Sequence, residues 1–420
     1  MSERASEPSA PSTAAGSTAE SSTAEGGRGS GSARTEVIWT PDFLSYQLSD
    51  DHPLNPVRLD LTMRLATQLG VLDGVDTVVP EPATDEDLLR VHVPSYLTAV
   101  RSAPHEPFGV GHGLGTDDNP IFMGMHEASA LIAGGSIAAA RALVEGRADR
   151  AVNIAGGLHH AMADRAAGFC VYNDCSIAIA WLLEHGVERI AYVDVDVHHG
   201  DGVQAAFYDD PRVLTVSMHQ HPLTLWPGTG WPGEYGTGNG AGHAVNVPLP
   251  PGTGDAGWRR AFDAVVPSLL ESFRPQVIVT ECGADTHAED PLANLELSID
   301  GQRAIYHTLR DQVARCEAKW LVLGGGGYSL FRVVPRSWTH LLATALDRDV
   351  DPARPLPADW IAHTAGLTHR PLPTAMTDGQ DPAFAPWRDG GHADRVDGAI
   401  MEVRRAVFPM HGLDPDDPRD

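Results

Sequence analysis

The 420-residue sequence predicts an α/β protein with a single main domain, in which helices flank a mostly parallel sheet. Two observations support this fold class. Short apolar runs alternate with longer amphipathic segments between about residues 151 and 323, which is the pattern of strand–helix–strand units. Polar residues suited to metal binding or proton transfer follow the ends of four of these runs. Open parallel sheets bind ligands at the carboxyl ends of their strands, so we expect the functional site there.

The chain divides into three parts. Residues 1–34 are mostly Ser, Thr, Ala, Gly, Glu and Pro without an apolar period, and we expect them to be disordered. Residues 35–350 contain the alternating pattern and are expected to form the functional domain. Residues 351–420 are rich in Pro, and we expect an extension that packs on the domain.

The individual elements follow from periodicity and from start and stop signals. Asn55-Pro56 is typical of a helix start, and residues 103–126 form a long Gly- and Pro-rich loop of the kind that is often functional. We predict strands at 37–39, 151–155, 190–193, 213–218, 276–280 and 320–323, and helices at 55–69, 127–145, 174–185, 255–273, 300–316 and 394–407.

Composition limits the classes of partner and compartment. The net charge is −26, from 56 acidic against 30 basic residues, which argues against nucleic-acid binding through phosphate contacts. No apolar run reaches the roughly 18 residues that a membrane span needs, and no signal-peptide core follows Met1. The four cysteines form no C-x-x-C pair, as expected of reduced thiols. We therefore expect a soluble cytoplasmic protein with neither a nucleic-acid nor a membrane partner; the sequence leaves its oligomeric state open.

The stretch around D-V-D-V-H-H-G-D-G carries the strongest chemical signal. Asp194, Asp196 and His198 follow the apolar run 190–193 at alternate positions, and alternate side chains of an extended chain point the same way. Asp196 and His198, with Asp285 after another predicted strand, would form a three-ligand site with an open position, as in catalytic zinc sites. Fe(II) or Co(II) would also suit two carboxylates and one imidazole.

Other polar residues complete a hydrolytic arrangement. His159 and His160 are adjacent, and the free acids Asp194 and Asp201 are the obvious partners for two imidazole–carboxylate dyads. Tyr328 follows four glycines, where its hydroxyl could donate to a carbonyl oxygen that becomes an oxyanion. A metal-activated water, a His base and this hydroxyl describe amide hydrolysis. Aromatic residues at positions 169 and 226 could wall a narrow slot for an aliphatic stem that ends in an amide.

At this point the sequence resembles the zinc-dependent histone deacetylase family, which shares its fold with arginases, and within it the class I-like bacterial acetoin-utilisation deacetylases. The resemblance covers about residues 37–346. It rests on G-G-L-H-H at 156–160, G-F-C at 168–170, D-V-D-V-H-H-G-D-G at 194–202, P-G-T-G at 227–230, N-V-P-L at 246–249, C-G-A-D at 282–285, D-T-H-A-E-D-P-L at 285–292 and L-G-G-G-G-Y at 323–328.

The resemblance implies a role for each matching position. Zinc ligands would be Asp196, His198 and Asp285; the general base and acid would be His160 with Asp201, beside His159 with Asp194; and Tyr328 would polarise the carbonyl. The remaining implied positions are Gly168, Phe169, Trp226, Leu292 and Gly327 in the substrate tunnel, Arg58 in an internal acetate channel, and Asp194, His198, Ser217 and Met218 at a potassium site.

Two points depart from the family pattern. Position 226 is usually a smaller aromatic residue, so Trp226 leaves the acyl-chain preference open. The acid that grips the substrate backbone at the tunnel rim has no unique match, and Glu106 and Asp117 are the candidates.

The expected activity is removal of acetyl groups from acetyl-lysine side chains of proteins. An acetylpolyamine amidohydrolase is the alternative, with mild support from the acidic composition. A non-catalytic acyl-lysine reader would have lost a ligand, a dyad histidine or the tyrosine, and all are present. An arginase-like ureohydrolase would need a second metal with more aspartate ligands in the 194–201 and 285 motifs.

Overall fold

The structure is a computed structural model that describes residues 33–106, 108–387 and 394–420. Residues 1–32, which hold nearly all of the segment expected to be disordered, lie outside the described residues. The first strand begins at Thr35.

Among the described residues, eight strands form one sheet in which every neighbouring pair is parallel. Their order across the sheet is β2-β1-β3-β8-β7-β4-β5-β6. The strands are β1 (Thr35–Ile38), β2 (Thr77–Val78), β3 (Arg150–Asn153), β4 (Ile190–Asp194), β5 (Val213–Gln220), β6 (Ala244–Leu249), β7 (Val277–Glu281) and β8 (Lys319–Leu323).

Helices connect and cover these strands. They are α1 (Val57–Gln68), α2 (Asp85–Leu88), α3 (Pro94–Ser102), α4 (Met125–Val144), α5 (Asp174–Glu184), α6 (Asp201–Ala206), α7 (Asp255–Phe273), α8 (Ile299–Arg315), α9 (Val334–Ala345), α10 (Ala358–Ala365) and α11 (Arg395–Val407), with short 3₁₀ turns at Pro41–Ser45, Ala103–His105, Gly238–Gly240 and Phe408–His411. This architecture confirms the predicted fold class.

The core lies on both faces of the central strands. All five residues of β4 and of β7 are buried, as are four of the five in β8. Such strands are continuous apolar runs because helices cover both sides of a parallel sheet. The polar residues that follow these strands are therefore fixed by a rigid, fully packed support.

Helix α4 corrects one expectation. By length and composition, Met125–Val144 would be able to cross a membrane, whereas the expectation from the sequence is that no segment could do so. In the fold, 72% of its most apolar stretch is buried, and the helix packs on β3 and α5. These contacts are those of a helix in the core of the fold.

The residues after position 350 contact the domain through buried polar groups. Trp360 donates its indole N–H to the Leu61 carbonyl at 2.9 Å. Arg404 is fully buried, donates to the Ala264 carbonyl at 2.6 Å, and lies over the ring of Phe408 at 4.2 Å. Helix α10 thereby contacts α1, and helix α11 contacts α7.

Candidate active site

Asp196, His198 and Asp285 lie together at the carboxyl ends of β4 and β7. One potential ligand atom from each is within 4.8 Å of the other two, and all three residues are buried. His198 Nδ1 is 3.1 Å from Asp196 Oδ1 and 3.2 Å from Asp285 Oδ2. The outer carboxylate oxygens are held by backbone amides, from Val197 to Asp285 at 3.0 Å and from Gly326 to Asp196 at 2.8 Å. The three side chains are therefore fixed in one orientation.

The charge of this group fits a bound cation. Burial lowers the pKa of His198, but its hydrogen bonds to Asp196 and Asp285 outweigh burial and raise that pKa to about 10. The imidazole thus holds a proton between two buried carboxylates, which is the place where a metal ion would neutralise them instead. Two carboxylate oxygens and one imidazole nitrogen match the donors of catalytic Zn(II), Fe(II) or Co(II) sites.

The glycine run before Tyr328 is required by this packing. A Cβ atom at Gly326 would lie 2.1 Å from Asp285 Oδ2 and 2.6 Å from Asp196 Oδ2. Any larger residue would displace the carboxylates, so glycine allows the backbone to pass beside them and donate its N–H.

The tandem histidines form the two dyads that the sequence suggested. His159 Nδ1 is 2.8 Å from Asp194 Oδ2, and His160 Nδ1 is 2.7 Å from Asp201 Oδ1. The Nε2 atoms of the two histidines are 2.9 Å apart. Since each carboxylate accepts the Nδ1–H of its own histidine, the Nε2 atoms are free to exchange a proton.

The two rings differ in charge. Burial lowers the pKa of His159, but Asp194 outweighs burial and raises it to about 9. Burial and the neighbouring positive charges of His159 and His198 hold the pKa of His160 well below its usual range. At neutral pH His160 is therefore the unprotonated ring, as a general base must be, beside a positively charged His159.

Asp194 does not join the metal-ligand group. Strand β4 ends at this residue, and its side chain accepts hydrogen bonds from Tyr192 at 2.7 Å and from the Asp196 amide at 3.1 Å. The chain turns after Asp194, so alternation no longer governs where the later side chains point. Asp194 therefore belongs to the His159 dyad and not to the metal-ligand group.

A cavity of about 280 Å³ leads from the surface to this group. Phe169 and Trp226 form aromatic walls, and the Trp226 ring meets the His160 ring edge-on at 4.6 Å between centroids. Gly168 has a φ of +52°, and a Cβ there would lie 2.5 Å from the His160 ring and 2.6 Å from that of Trp226. The full lining is Asp118, His160, Gly168, Phe169, His198, Leu225, Trp226, Leu292 and Tyr328.

Tyr328 lines this cavity. Its backbone amide donates to Asp290 Oδ2 at 2.8 Å, and its ring meets Phe169 edge-on at 5.6 Å between centroids. Burial and the charge of Asp285 raise the pKa of Tyr328 well above its ordinary value. The hydroxyl therefore stays protonated and available as a hydrogen-bond donor.

Other predicted positions lie behind the cavity or beside it. Arg58 is buried, donates to the Gly327 carbonyl at 3.1 Å, and lies over the Trp338 ring at 4.9 Å, so neither Arg58 nor Gly327 lines the cavity. Asp194 and Ser217 are register partners on β4 and β5, and Met218 follows within β5. Their potassium site stays a prediction.

Sequence reasoning missed two acids. Asp118, next to the candidate Asp117, lines the cavity mouth, whereas Asp117 and Glu106 do not line it; the long polar loop signalled the region but not the residue. Glu281 ends β7 fully buried, with Oε1 3.8 Å from His159 Nδ1. Burial and the charges of Asp196 and Asp194 raise the pKa of Glu281 well above its usual range. It looked like an ordinary strand residue, and no sequence signal marked it.

Comparison with known proteins agrees with this geometry. Residues 52–345 match the model of the histone deacetylase domain. The chain is 39% identical over 352 residues to the acetoin utilization protein AcuC of Bacillus subtilis (strain 168), which covers 82% of this chain and 90% of that protein. It is 35% identical to AcuC of Staphylococcus aureus (strain MSSA476), covering 83% and 90%, and 34% identical to AcuC of Staphylococcus xylosus, covering 83% and 91%. The chain belongs to the histone deacetylase family and is a hydrolase of the deacetylase type.

Proposed function

We propose that this protein is a metal-dependent lysine deacetylase that hydrolyses the side-chain amide of acetyl-lysine in proteins and releases acetate. The observation that carries the proposal is the convergence of a three-ligand group, an unprotonated histidine and a tyrosine on one cavity. Its aromatic walls suit an unbranched aliphatic stem, and the polar groups lie where the stem would end.

Asp196, His198 and Asp285 would hold the ion, with zinc as the first candidate and Fe(II) or Co(II) as others. When bound, such an ion lowers the pKa of a water molecule and polarises a carbonyl oxygen. His160 would accept the proton of the attacking water at Nε2, which requires that atom to exchange its contact with His159 Nε2 for one with the water, and would pass the proton to the leaving amine nitrogen. The new C–O bond forms first and leaves negative charge on the former carbonyl oxygen. The C–N bond then breaks as the amine nitrogen takes the proton, so that water is divided between acetate and the free amine.

His159 and Tyr328 would stabilise the negative charge that develops in this step. The His159 imidazolium lies 2.9 Å from the base through Nε2, where its charge keeps His160 unprotonated until the water proton arrives. Tyr328 would donate a hydrogen bond from its hydroxyl to the carbonyl oxygen as that oxygen becomes negative. The electrostatic interactions of both side chains with this negative charge are stronger in a cavity from which bulk water is excluded.

Asp118 supports a substrate that carries N–H groups at the cavity mouth. An exposed carboxylate there can accept hydrogen bonds from the backbone amides that flank an acetyl-lysine. It can also bind the ammonium group of an acetylated polyamine, and a net charge of −26 would attract such a cation. The acetylpolyamine amidohydrolase is therefore the second candidate, and it differs only in the substrate.

The test compares an acetyl-lysine peptide with acetylated putrescine. We expect faster turnover of the peptide, loss of activity in chelator, and recovery with Zn(II), Fe(II) or Co(II). Asp285→Asn should lose most of its metal because one of three ligand side chains loses its charge, whereas Asp117→Asn is a matched change outside the cavity lining and should retain it. Preference for acetylated putrescine would support the second candidate, and full metal content in Asp285→Asn would contradict the ligand assignment.

A further inference from the structure

The C-terminal strap, which we define as residues 371–380, lies beyond the residues 52–345 that match the family domain. We infer that Asp378 in this strap is a positioning residue that acts on Tyr328 through the turn His287–Asp290. The inference rests on the proposed function, because Tyr328 matters only if its hydroxyl takes part in hydrolysis.

Asp378 accepts hydrogen bonds from three parts of the domain. His287 Nε2 lies 2.8 Å from Oδ2, the Ile299 amide 2.9 Å from Oδ2, and Arg336 Nη1 2.8 Å from Oδ1. The Arg336 side chain is only 1% exposed, and it also donates to the Thr377 carbonyl at 3.1 Å. Hydrogen bonds to charged partners of this kind are short and strong, so they tie the strap to the loop after β7 and to helix α9.

The hydrogen bonds of His287 fix the position of its proton. Its Nδ1 accepts the backbone N–H of Glu289 at 3.0 Å, so Nδ1 is unprotonated and the ring proton lies on Nε2, which donates to Asp378. The Asp290 amide donates to the His287 carbonyl at 2.9 Å. Asp378 thus selects the tautomer with which His287 can close this turn.

The turn ends in the residue that holds Tyr328. Asp290 is buried, and its carboxylate accepts the amides of Leu292 at 3.0 Å and of Tyr328 at 2.8 Å. Leu292 and Tyr328 both line the cavity. A shift of the turn would therefore move the hydroxyl donor and one wall of the cavity together.

The metal ligand on the same loop also has hydrogen bonds of its own. Asp285 Oδ1 accepts the Val197 amide at 3.0 Å, and Gln302 donates to the Ala284 carbonyl and to Thr286 Oγ1, both at 3.0 Å. None of these contacts includes the strap. Loss of the Asp378 side chain should therefore change the position of Tyr328 and leave metal content unchanged.

The experiment uses the full-length, metal-loaded protein and its Asp378→Ala and Asp378→Asn variants. The matched control is Asp381→Asn, because Asp381 is exposed and accepts a hydrogen bond from Ala383 within its own segment. For Asp378→Ala we expect kcat to fall roughly 10-fold with little change in KM, since a misplacement of a catalytic group by about 1 Å can cost as much as ~100-fold. Asp378→Asn keeps the size of the side chain, so its kcat should lie between those of the wild type and Asp378→Ala. This variant provides the test if Asp378→Ala does not fold.

Two further readouts separate positioning from general stabilisation. In a Tyr328→Phe background the Asp378 substitutions should lower kcat no further, whereas a merely structural role would lower it equally in both backgrounds. Amide hydrogen exchange of the peptide that contains Tyr328 should accelerate in the Asp378 variants and not in Asp381→Asn, whether or not the protein is active. Unchanged exchange at Tyr328 would overturn the inference, as would equal losses in both backgrounds. An inactive wild type with accelerated exchange in the variants would instead contradict the proposed function.

Discussion

Replacing Tyr328 by Phe removes one oxygen atom from the cavity and little else. The edge-on contact of the ring with Phe169 at 5.6 Å does not involve the hydroxyl, and the Asp290 carboxylate binds the backbone amide of residue 328, which the substitution retains. We therefore expect the variant to fold, to bind metal like the wild type, and to keep the shape of its cavity.

The substitution should destabilise the transition state of hydrolysis. Tyr328 donates from a cavity walled by aromatic rings, where a hydrogen bond to a developing oxyanion is much stronger than in water. Removal of one such donor typically lowers kcat by roughly 10² to 10³, which is ~2.7 to 4 kcal/mol. Because burial and Asp285 raise the pKa of the hydroxyl well above 10, the loss should be the same across the neutral pH range.

The assay is steady-state deacetylation of an acetyl-lysine peptide together with metal analysis. Tyr306→Phe is the matched control, since its hydroxyl lies 2.7 Å from Ser337 Oγ in the core and its removal should cost about 1 kcal/mol of unfolding free energy without loss of kcat. A normal kcat with a raised KM in Tyr328→Phe would refute the oxyanion role and make Tyr328 a substrate-binding residue. Loss of metal in that variant would place Tyr328 in the ligand group.

Two more predictions concern buried charges. His160→Ala should lower kcat by roughly 10² to 10⁴ through loss of proton transfer, and His159→Ala should lower it by less. Metal content should be unchanged in both variants. If single-turnover assays show a smaller loss for His160→Ala than for His159→Ala, the two roles are reversed. The pKa of Glu281 is raised in the folded protein. Below about pH 4 the carboxyl is protonated in both the folded and the unfolded chain, and its contribution to stability is fully present. As pH rises, Glu281 loses its proton more readily in the unfolded chain, so this stability is lost. In metal-free protein Glu281→Gln should therefore unfold at a higher temperature than the wild type at pH 7, and the difference in melting temperature should shrink toward pH 4. A difference in melting temperature that does not change with pH would contradict a proton held by Glu281.

The sequence predicted the helices and strands between residues 150 and 323 well because their periodicity and glycine stops are local signals. Strand β6 was missed because it contains Pro248, and proline usually argues against a strand. β6 is an edge strand, where a missing N–H is tolerated. Helix α9 was also missed; all of its residues are buried, including polar ones such as Arg336 and His340.

Site residues were predictable where a motif placed them beside a strand end, and unpredictable where only packing selects them. Asp117 and Asp118 are adjacent in one loop, and the fold decides which one reaches the cavity. Glu281 belongs to a buried strand, so its part in the charge balance depends on Asp194 and Asp196 of the neighbouring strand. Asp378 is separated from His287 by 91 residues, which no local pattern connects.

Strand order explains why the separate signals meet. The histidine pair follows β3, Tyr328 follows β8, Asp285 follows β7, and Asp196 with His198 follows β4. These four strands are consecutive neighbours in the sheet, in the order β3-β8-β7-β4. With neighbouring strands about 4.8 Å apart, four of them span only ~14 Å, so polar side chains at their carboxyl ends are brought around one point. A different strand order would separate the same motifs. The site therefore depends on the sheet topology, which could not be predicted from the sequence, as well as on the residues, which could.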